Sequence, residues 1–165
     1  MALVYLGLGA NLGARRQTLR QALAGLPAAL GGPILRVSRL YESAPWGVTD
    51  QPLFLNLALA AETTLEPRPL LAAVKRLEAA AGRRPGLRWG PRLLDIDILL
   101  YDDRTVAEPD LTIPHPRLLQ RRFVLQPLAD IWPAGQPLLG RPLPALLAAV
   151  ADQAVSLAPD AVEDG

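Results

Sequence analysis

The order of elements along the chain predicts an α+β fold, and three observations carry the prediction. The pattern runs strand, helix, strand, strand, helix, strand before a looser final third. The strand segments are apolar or alternate apolar with polar residues, whereas the two helical segments carry leucines at three- and four-residue spacing. A loop of about ten residues joins the second and third strands, long enough to form part of a site. This order is the split βαβ, ferredoxin-like arrangement, an antiparallel sheet with helices on one face and long active-site loops on the other.

Residues 2–9, ALVYLGLG, read as a buried strand entering a glycine turn that Asn11-Leu12-Gly13 closes. Residues 15–26 place Leu19, Leu23 and Leu26 at helical spacing; Pro27 bends or ends that helix, and Gly31-Gly32-Pro33 stops it. Residues 34–42, ILRVSRLYE, read as one half-buried strand, and residues 53–63, LFLNLALAAET, as the next. Pro67 and Pro69 open a helix that runs to Ala81, with Leu70, Leu71, Val74 and Leu77 on one face and Gly82 just past its end. Residues 83–92, RRPGLRWGPR, form a loop, and residues 93–101, LLDIDILLY, a central strand. Beyond these, a short strand is expected at 105–107, a short helix at 117–122 and another at 142–152, with the last ten residues loose. No repeat or linker divides the chain, so residues 1–165 read as one domain.

Composition narrows the chemistry. There are no cysteines and one histidine, His115, which excludes thiolate metal sites, a cysteine nucleophile and a multi-histidine centre. The net charge of +1 lacks the basic excess of a non-specific nucleic-acid binder. The Gly-Lys-Ser/Thr of a phosphate loop is absent, and no uncharged run approaches the ~20 residues that span a bilayer. The N-terminus lacks the positive region of a signal peptide, so the cytoplasm is the default location.

The sharpest chemical feature is Asp95-Ile96-Asp97. Residues two apart in a strand share a face, so both carboxylates point one way while Leu94, Ile96, Ile98 and Leu100 point to the helices. Such a pair suits a hard divalent cation that also holds phosphate oxygens, or else an ion-paired or solvated face. Just upstream, Arg83, Arg84, Arg88 and Arg92 stand in a Gly/Pro-rich loop, where guanidinium forks could grip a polyphosphate or remain solvated. Aromatics make up only 5% of the chain, and Trp46, Phe54, Trp89 and Phe123 lie in or beside loops, where two could sandwich a flat heterocycle or simply pack in the core. Asn56 sits among apolar neighbours, so its amide reads either a heterocycle edge or an adjacent loop. His115, between two prolines, is a structural residue or a phosphate donor. Gly7 and Gly9 begin a dinucleotide-like fingerprint that fails at Leu12; they read instead as positions of close backbone approach.

Taken together, these segments resemble the 6-hydroxymethyl-7,8-dihydropterin pyrophosphokinase family of folate biosynthesis. The resemblance spans about residues 3–133, through the run from Leu6 to Gly13, Asp50-Gln51-Pro52 with Phe54-Leu55-Asn56, the run from Arg88 to Leu99, and Pro114-His115 with Arg121 and Phe123. It implies transfer of the β,γ-pyrophosphoryl group of ATP to the pterin hydroxymethyl oxygen, with release of AMP. It also implies that Asp95 and Asp97 bind two magnesium ions, that Arg83 and Arg92 touch the transferring group, and that Arg88 and Trp89 belong to a closing loop. Glu78, Ile98, Thr112, His115 and Arg121 become nucleotide contacts; Ser43, Ala44, Trp46, Phe54, Asn56 and Phe123 become the pterin pocket. The chain departs from the family with Ala44 for a common Pro, Trp46 for an aliphatic residue, Lys75 for a polar contact, Asp110 for an occasional Arg, and a loop one residue shorter.

Two other functions fit the residues alone. A non-catalytic ferredoxin-like binding module would need exposed aromatics and a basic sheet face, not acids. Another magnesium-dependent nucleotidyl or phosphoryl transferase would differ in its products. The expected partners are ATP and the pterin, with no nucleic acid or membrane, and the expected form is a monomer.

Overall fold

The structure, a computed structural model, describes residues 1–11, 14–44, 53–82 and 94–159. Its main sheet is built on β1 (Ala2–Ala10), which lies between β4 (Phe54–Thr63) and β5 (Asp95–Tyr101) and is antiparallel to both. On the far side of β4 come β3 (Tyr41–Ser43) and then β8 (Val155–Leu157), while β2 (Ile34–Val37) also pairs with β4. A separate hairpin joins β6 (Val106–Glu108) to β7 (Leu111–Ile113). The helices are α1 (Arg15–Leu30), α2 (Pro67–Ala80), α3 (Arg122–Ile131) and α4 (Leu143–Ala149), with a 3-10 turn at Leu118–Gln120.

Strand alternation sorts the apolar residues into two cores. Val4, Leu6 and Leu8 of β1, Leu57 and Leu59 of β4, and Ile96 and Ile98 of β5 pack against Leu19, Leu26 and Leu30 of α1 and Leu70 and Val74 of α2. Tyr5, Ala58, Ala60, Leu99 and Leu100 face the other way, onto Val124, Leu125, Leu128 and Ile131 of α3 and Leu146 of α4. Helices therefore cover both faces, not one; only part of the second face remains for loops and ligand. Each fully buried leucine contributes about 1.5–3 kcal/mol, enough to hold the final third on the sheet.

Several local expectations change. The strand expected at 93–101 is described from Leu94, and β5 within it is an edge strand, not a central one: among the described residues it pairs with β1 alone. Its long apolar run reflects burial on two faces by helices rather than flanking by two strands. A bulge puts Tyr5 opposite Leu100 but Leu6 opposite Ile98, which turns Leu100 into the second core instead of the first. The α1 helix passes through Pro27 to Leu30, because buried Leu26 and Leu30 and the bond from Thr63 Oγ1 to the Leu30 carbonyl offset the lost backbone donor. The expected strand at 34–42 splits at Ser38, whose Oγ accepts the Ala58 N–H at 2.9 Å. Of the ten terminal residues expected to be loose, β8 takes 156 and 157, and the Ala158 N–H donates to the Leu40 carbonyl.

Candidate active site

The two aspartates share a sheet face with the glycines of β1. Asp97 lies opposite Gly7 and Asp95 opposite Gly9; one strand further, Gly9 lies opposite Asn56. Carboxylates and amide are thus separated by a glycine floor two strand spacings wide, about 10 Å. A side chain on Gly9 would crowd that floor, since a Cβ there would lie 3.1 Å from Asn56 Nδ2. Asn56 is buried, and Ser43 Oγ donates to its Oδ1 at 2.7 Å. Phe54, opposite Ser43, is half-buried, and Ala44 is exposed at the end of β3.

Glu78 is 2% exposed, at the end of α2 nearest β5. Its Oε2 accepts the Ile96 N–H at 2.7 Å, and Lys75 Nζ stands 3.4 Å from Oε1. The peptide between the aspartates is thereby fixed from the outer edge of the sheet. Because Ile96 turns its N–H outward, the backbone of Ile98 faces the same edge, while the Ile98 side chain is buried in the first core. A nucleotide contact at Ile98 is consequently a main-chain contact.

The loop after β7 brings His115 against β5, close enough for its charge to act on Asp97. Its N–H donates to the Leu99 carbonyl at 3.0 Å, and its Nδ1 accepts the Arg117 N–H at 3.2 Å. In the neutral ring the proton then resides on Nε2, a donor aimed away from the backbone. Burial, with Arg121 and Arg117, lowers the His115 pKa against the opposing pull of Asp97. Burial and the adjacent Asp95 charge raise the Asp97 pKa, although His115, Arg121 and Lys75 oppose the shift. Arg121 also stacks on Phe123, its Cζ 5.5 Å from the ring centroid at the start of α3. Thr112 is exposed on β7.

The donor set fits a hard cation. Two carboxylates share a face, one of them carries a charge that burial penalises, and among the described residues no third acidic or histidine ligand completes a cage. That is how magnesium binds when phosphate oxygens and water fill the remaining positions. Arg83, Arg88, Trp89, Arg92 and Trp46 lie outside the described residues. Asp110, by contrast, is engaged elsewhere: with Glu108 it pairs with Arg68 of α2, at 2.5 and 3.1 Å.

The family model for 7,8-dihydro-6-hydroxymethylpterin-pyrophosphokinase matches residues 5–133. This chain belongs to that family. A 2-amino-4-hydroxy-6-hydroxymethyldihydropteridine pyrophosphokinase of Pseudomonas aeruginosa is 42% identical over 158 residues, 96% of this chain and 98% of the relative. The protein of the same name from Aquifex aeolicus is 43% identical over 144 residues, 87% and 89% of the two chains. A mitochondrial folate synthesis bifunctional protein of Pisum sativum is 48% identical over 128 residues, 78% of this chain but 25% of that one. The fold is similar to that of Plasmodium falciparum HPPK-DHPS, with TM-score 0.69 at 17% identity, covering 90% of this chain and 44% of the other. As a family member, the chain is a pyrophosphokinase of folate biosynthesis. The aspartate pair, glycine floor and buried amide lie within the matched residues. Sequence reasoning missed the Arg117 N–H that sets the His115 tautomer, because a main-chain donor leaves no trace in side-chain identity.

Proposed function

We infer that this chain transfers the pyrophosphoryl group of ATP to the hydroxymethyl oxygen of 6-hydroxymethyl-7,8-dihydropterin. The new bond joins that oxygen to Pβ as the hydroxyl proton is given up to solvent; the bond from Pβ to the α–β bridging oxygen breaks, and AMP departs with that oxygen and its electron pair. The observation that carries this reading is the glycine floor between Asp95–Asp97 and the Ser43–Asn56 pair.

Each element has a task. Asp95 and Asp97 would hold magnesium, two ions in our reading, which supplies charge neutralisation for the phosphates. The outward backbone of Ile98, with Thr112, His115 and Arg121, borders the nucleotide; His115 presents its Nε2 proton to an anionic oxygen. Glu78 acts through Ile96. Ser43 fixes Asn56, whose amide reads the polar edge of the pterin, while Ala44, Trp46, Phe54 and Phe123 close around the ring. Arg83 and Arg92 would neutralise charge at the transferring group, and Arg88 and Trp89 would serve in nucleotide binding. Positioning and charge neutralisation suffice for transfer of this type.

The finer fold reading also belongs here. The order β5-β1-β4 with β2 and β3 beyond supports a ferredoxin-like core to which α3, α4 and β8 are added. Among the described residues no helix is long and apolar enough to cross a membrane. We take residues 1–165 as one domain, working as a cytoplasmic monomer. Incubation with magnesium, ATP and the hydroxymethyl dihydropterin tests the function: AMP should form only with all three present. Formation of ADP, or AMP release independent of the pterin, contradicts it.

A further inference from the structure

Gln153 stands beyond residues 5–133, which the family model matches, yet it reaches back into the site. Its Oε1 accepts the Arg122 N–H at 2.8 Å, and its Nε2 donates to the Gln120 carbonyl at 2.9 Å. These two contacts flank Arg121, so one side-chain amide does what a neighbouring strand would do for that residue. Arg121 is extended, at φ −121° and ψ 114°, between the 3-10 turn and α3. Arg122 returns the contact: its Nη1 donates to the Gln153 carbonyl at 2.8 Å and to the Ala151 carbonyl at 3.3 Å. Two residues further, Val155 of β8 pairs with Ser43 of β3, and the Arg16 guanidinium reaches the Pro159 carbonyl.

We propose that Gln153 is a positioning residue for the transfer reaction: it fixes the peptide of Arg121 and, through it, the guanidinium–ring stack on Phe123. The proposal rests on the reading that Arg121 and Phe123 border the nucleotide and the pterin. The Arg121 carbonyl already accepts the Val124 and Leu125 N–H groups at 3.1 and 3.0 Å as the first acceptor of α3, so the soft torsion is the one toward the 3-10 turn, and the long side chain magnifies any rotation about it. The bracket removes that freedom at the peptide, leaving the guanidinium to meet the anion. The same segment, continued as β8, ties this corner to the strand that carries Ser43. One short stretch of chain thus sets the spacing between the Arg121 side and the Ser43 side of the site.

The test measures equilibrium binding of a non-hydrolysable ATP analogue with magnesium, then of the pterin, alongside thermal melting and steady-state kinetics. Gln153→Ala should weaken the analogue about tenfold, the scale of two hydrogen bonds to backbone, at temperatures well below its melting point. Gln153→Met keeps the side-chain length and loses both bonds, so it should weaken binding as the alanine variant does; it also keeps the test open if the alanine variant does not fold. In an Arg121→Ala background, Gln153→Ala should add less than about twofold, because both losses run through one side chain. A lowered melting point with unchanged binding overturns the proposal, as does full multiplication of the two losses. If Arg121→Ala weakens binding and Gln153→Ala does not, the proposal alone fails. If Arg121→Ala binds the analogue like the wild type, the reading of Arg121 fails and the proposal falls with it.

Discussion

The carboxylate of Glu78 accepts the N–H of Ile96 at 2.7 Å, so a buried acid on α2 holds the peptide that separates Asp95 from Asp97. An edge strand would otherwise present that N–H unpaired. That contact adds to the β1–β5 ladder, which already places Asp97 opposite Gly7 and Asp95 opposite Gly9.

Glu78→Ala should lower stability by about 1–3 kcal/mol, the cost of leaving a buried donor unsatisfied. Turnover should fall with it, while Glu78→Gln, which keeps an acceptor oxygen, recovers most of the stability. Chemical denaturation checks the first effect and AMP production the second. Equal stability of the alanine variant and the wild type would remove the positioning role.

Asp97→Asn should retain the fold and lose turnover by about 10²–10³-fold, the scale seen when one element of charge stabilisation is deleted. Asp95→Asn added to it should cost little more if, as we propose, both carboxylates serve one cluster. Magnesium-dependent turnover near the wild-type rate in the single variant rules the assignment out.

Gly9→Ala should weaken pterin binding, since its Cβ would press within 3.1 Å of Asn56 Nδ2 and shift the amide. At Gly7 the nearest atoms to a Cβ would be those of the Leu99 side chain, at an ordinary 3.6 Å. Gly7→Ala should therefore leave pterin affinity near that of the wild type. Titrations of both variants with the pterin give the comparison.

Phe123→Ala should weaken the pterin more than ATP. A stacked pair contributes ~0.5–1.5 kcal/mol beyond its buried area, so the pterin loss should exceed about tenfold. Equal loss for both ligands would make Phe123 a core residue only.

Asp130 supplies a pH test away from the site. It joins α3 to β3 through Arg39, at 2.9 Å, and the Tyr41 hydroxyl, at 3.0 Å. Burial pushes the Asp130 carboxyl up, but Arg39 and Tyr41 outweigh it and hold the pKa below the usual carboxylate range. A depressed acid stabilises the fold above its unfolded pKa, and that contribution fades as pH falls through the folded value. Asp130→Asn should melt a few degrees below the wild type at pH 7, and the two should converge as the pH falls below the usual carboxylate range. A difference that persists undiminished in acid excludes the charge as its source.

Much of this was legible in the chain. The apolar run LFLNLALAAET gave β4, and the prolines at 67 and 69 with the spaced leucines gave α2. The Asp-x-Asp spacing gave the shared face of Asp95 and Asp97 directly, because period two needs no tertiary information. What escaped was decided by packing. Pro27 and Pro127 both look like helix breakers, yet both lie inside helices whose apolar faces are buried. In α3 the i, i+1, i+4, i+7 spacing of Val124, Leu125, Leu128 and Ile131 was present, but the proline obscured it. The short β8 has no local signature; it exists because β3 offers an edge. Ser43, by contrast, had only the family resemblance to mark it, since its bond to Asn56 depends on strand register.

The most direct measurement follows the β-phosphorus. With ATP labelled there, the label should pass to the pterin in step with AMP formation, and Asp97→Asn should slow its transfer by the same ~10²–10³-fold. Label retained in ADP, or released as free pyrophosphate while the pterin stays unmodified, contradicts the account.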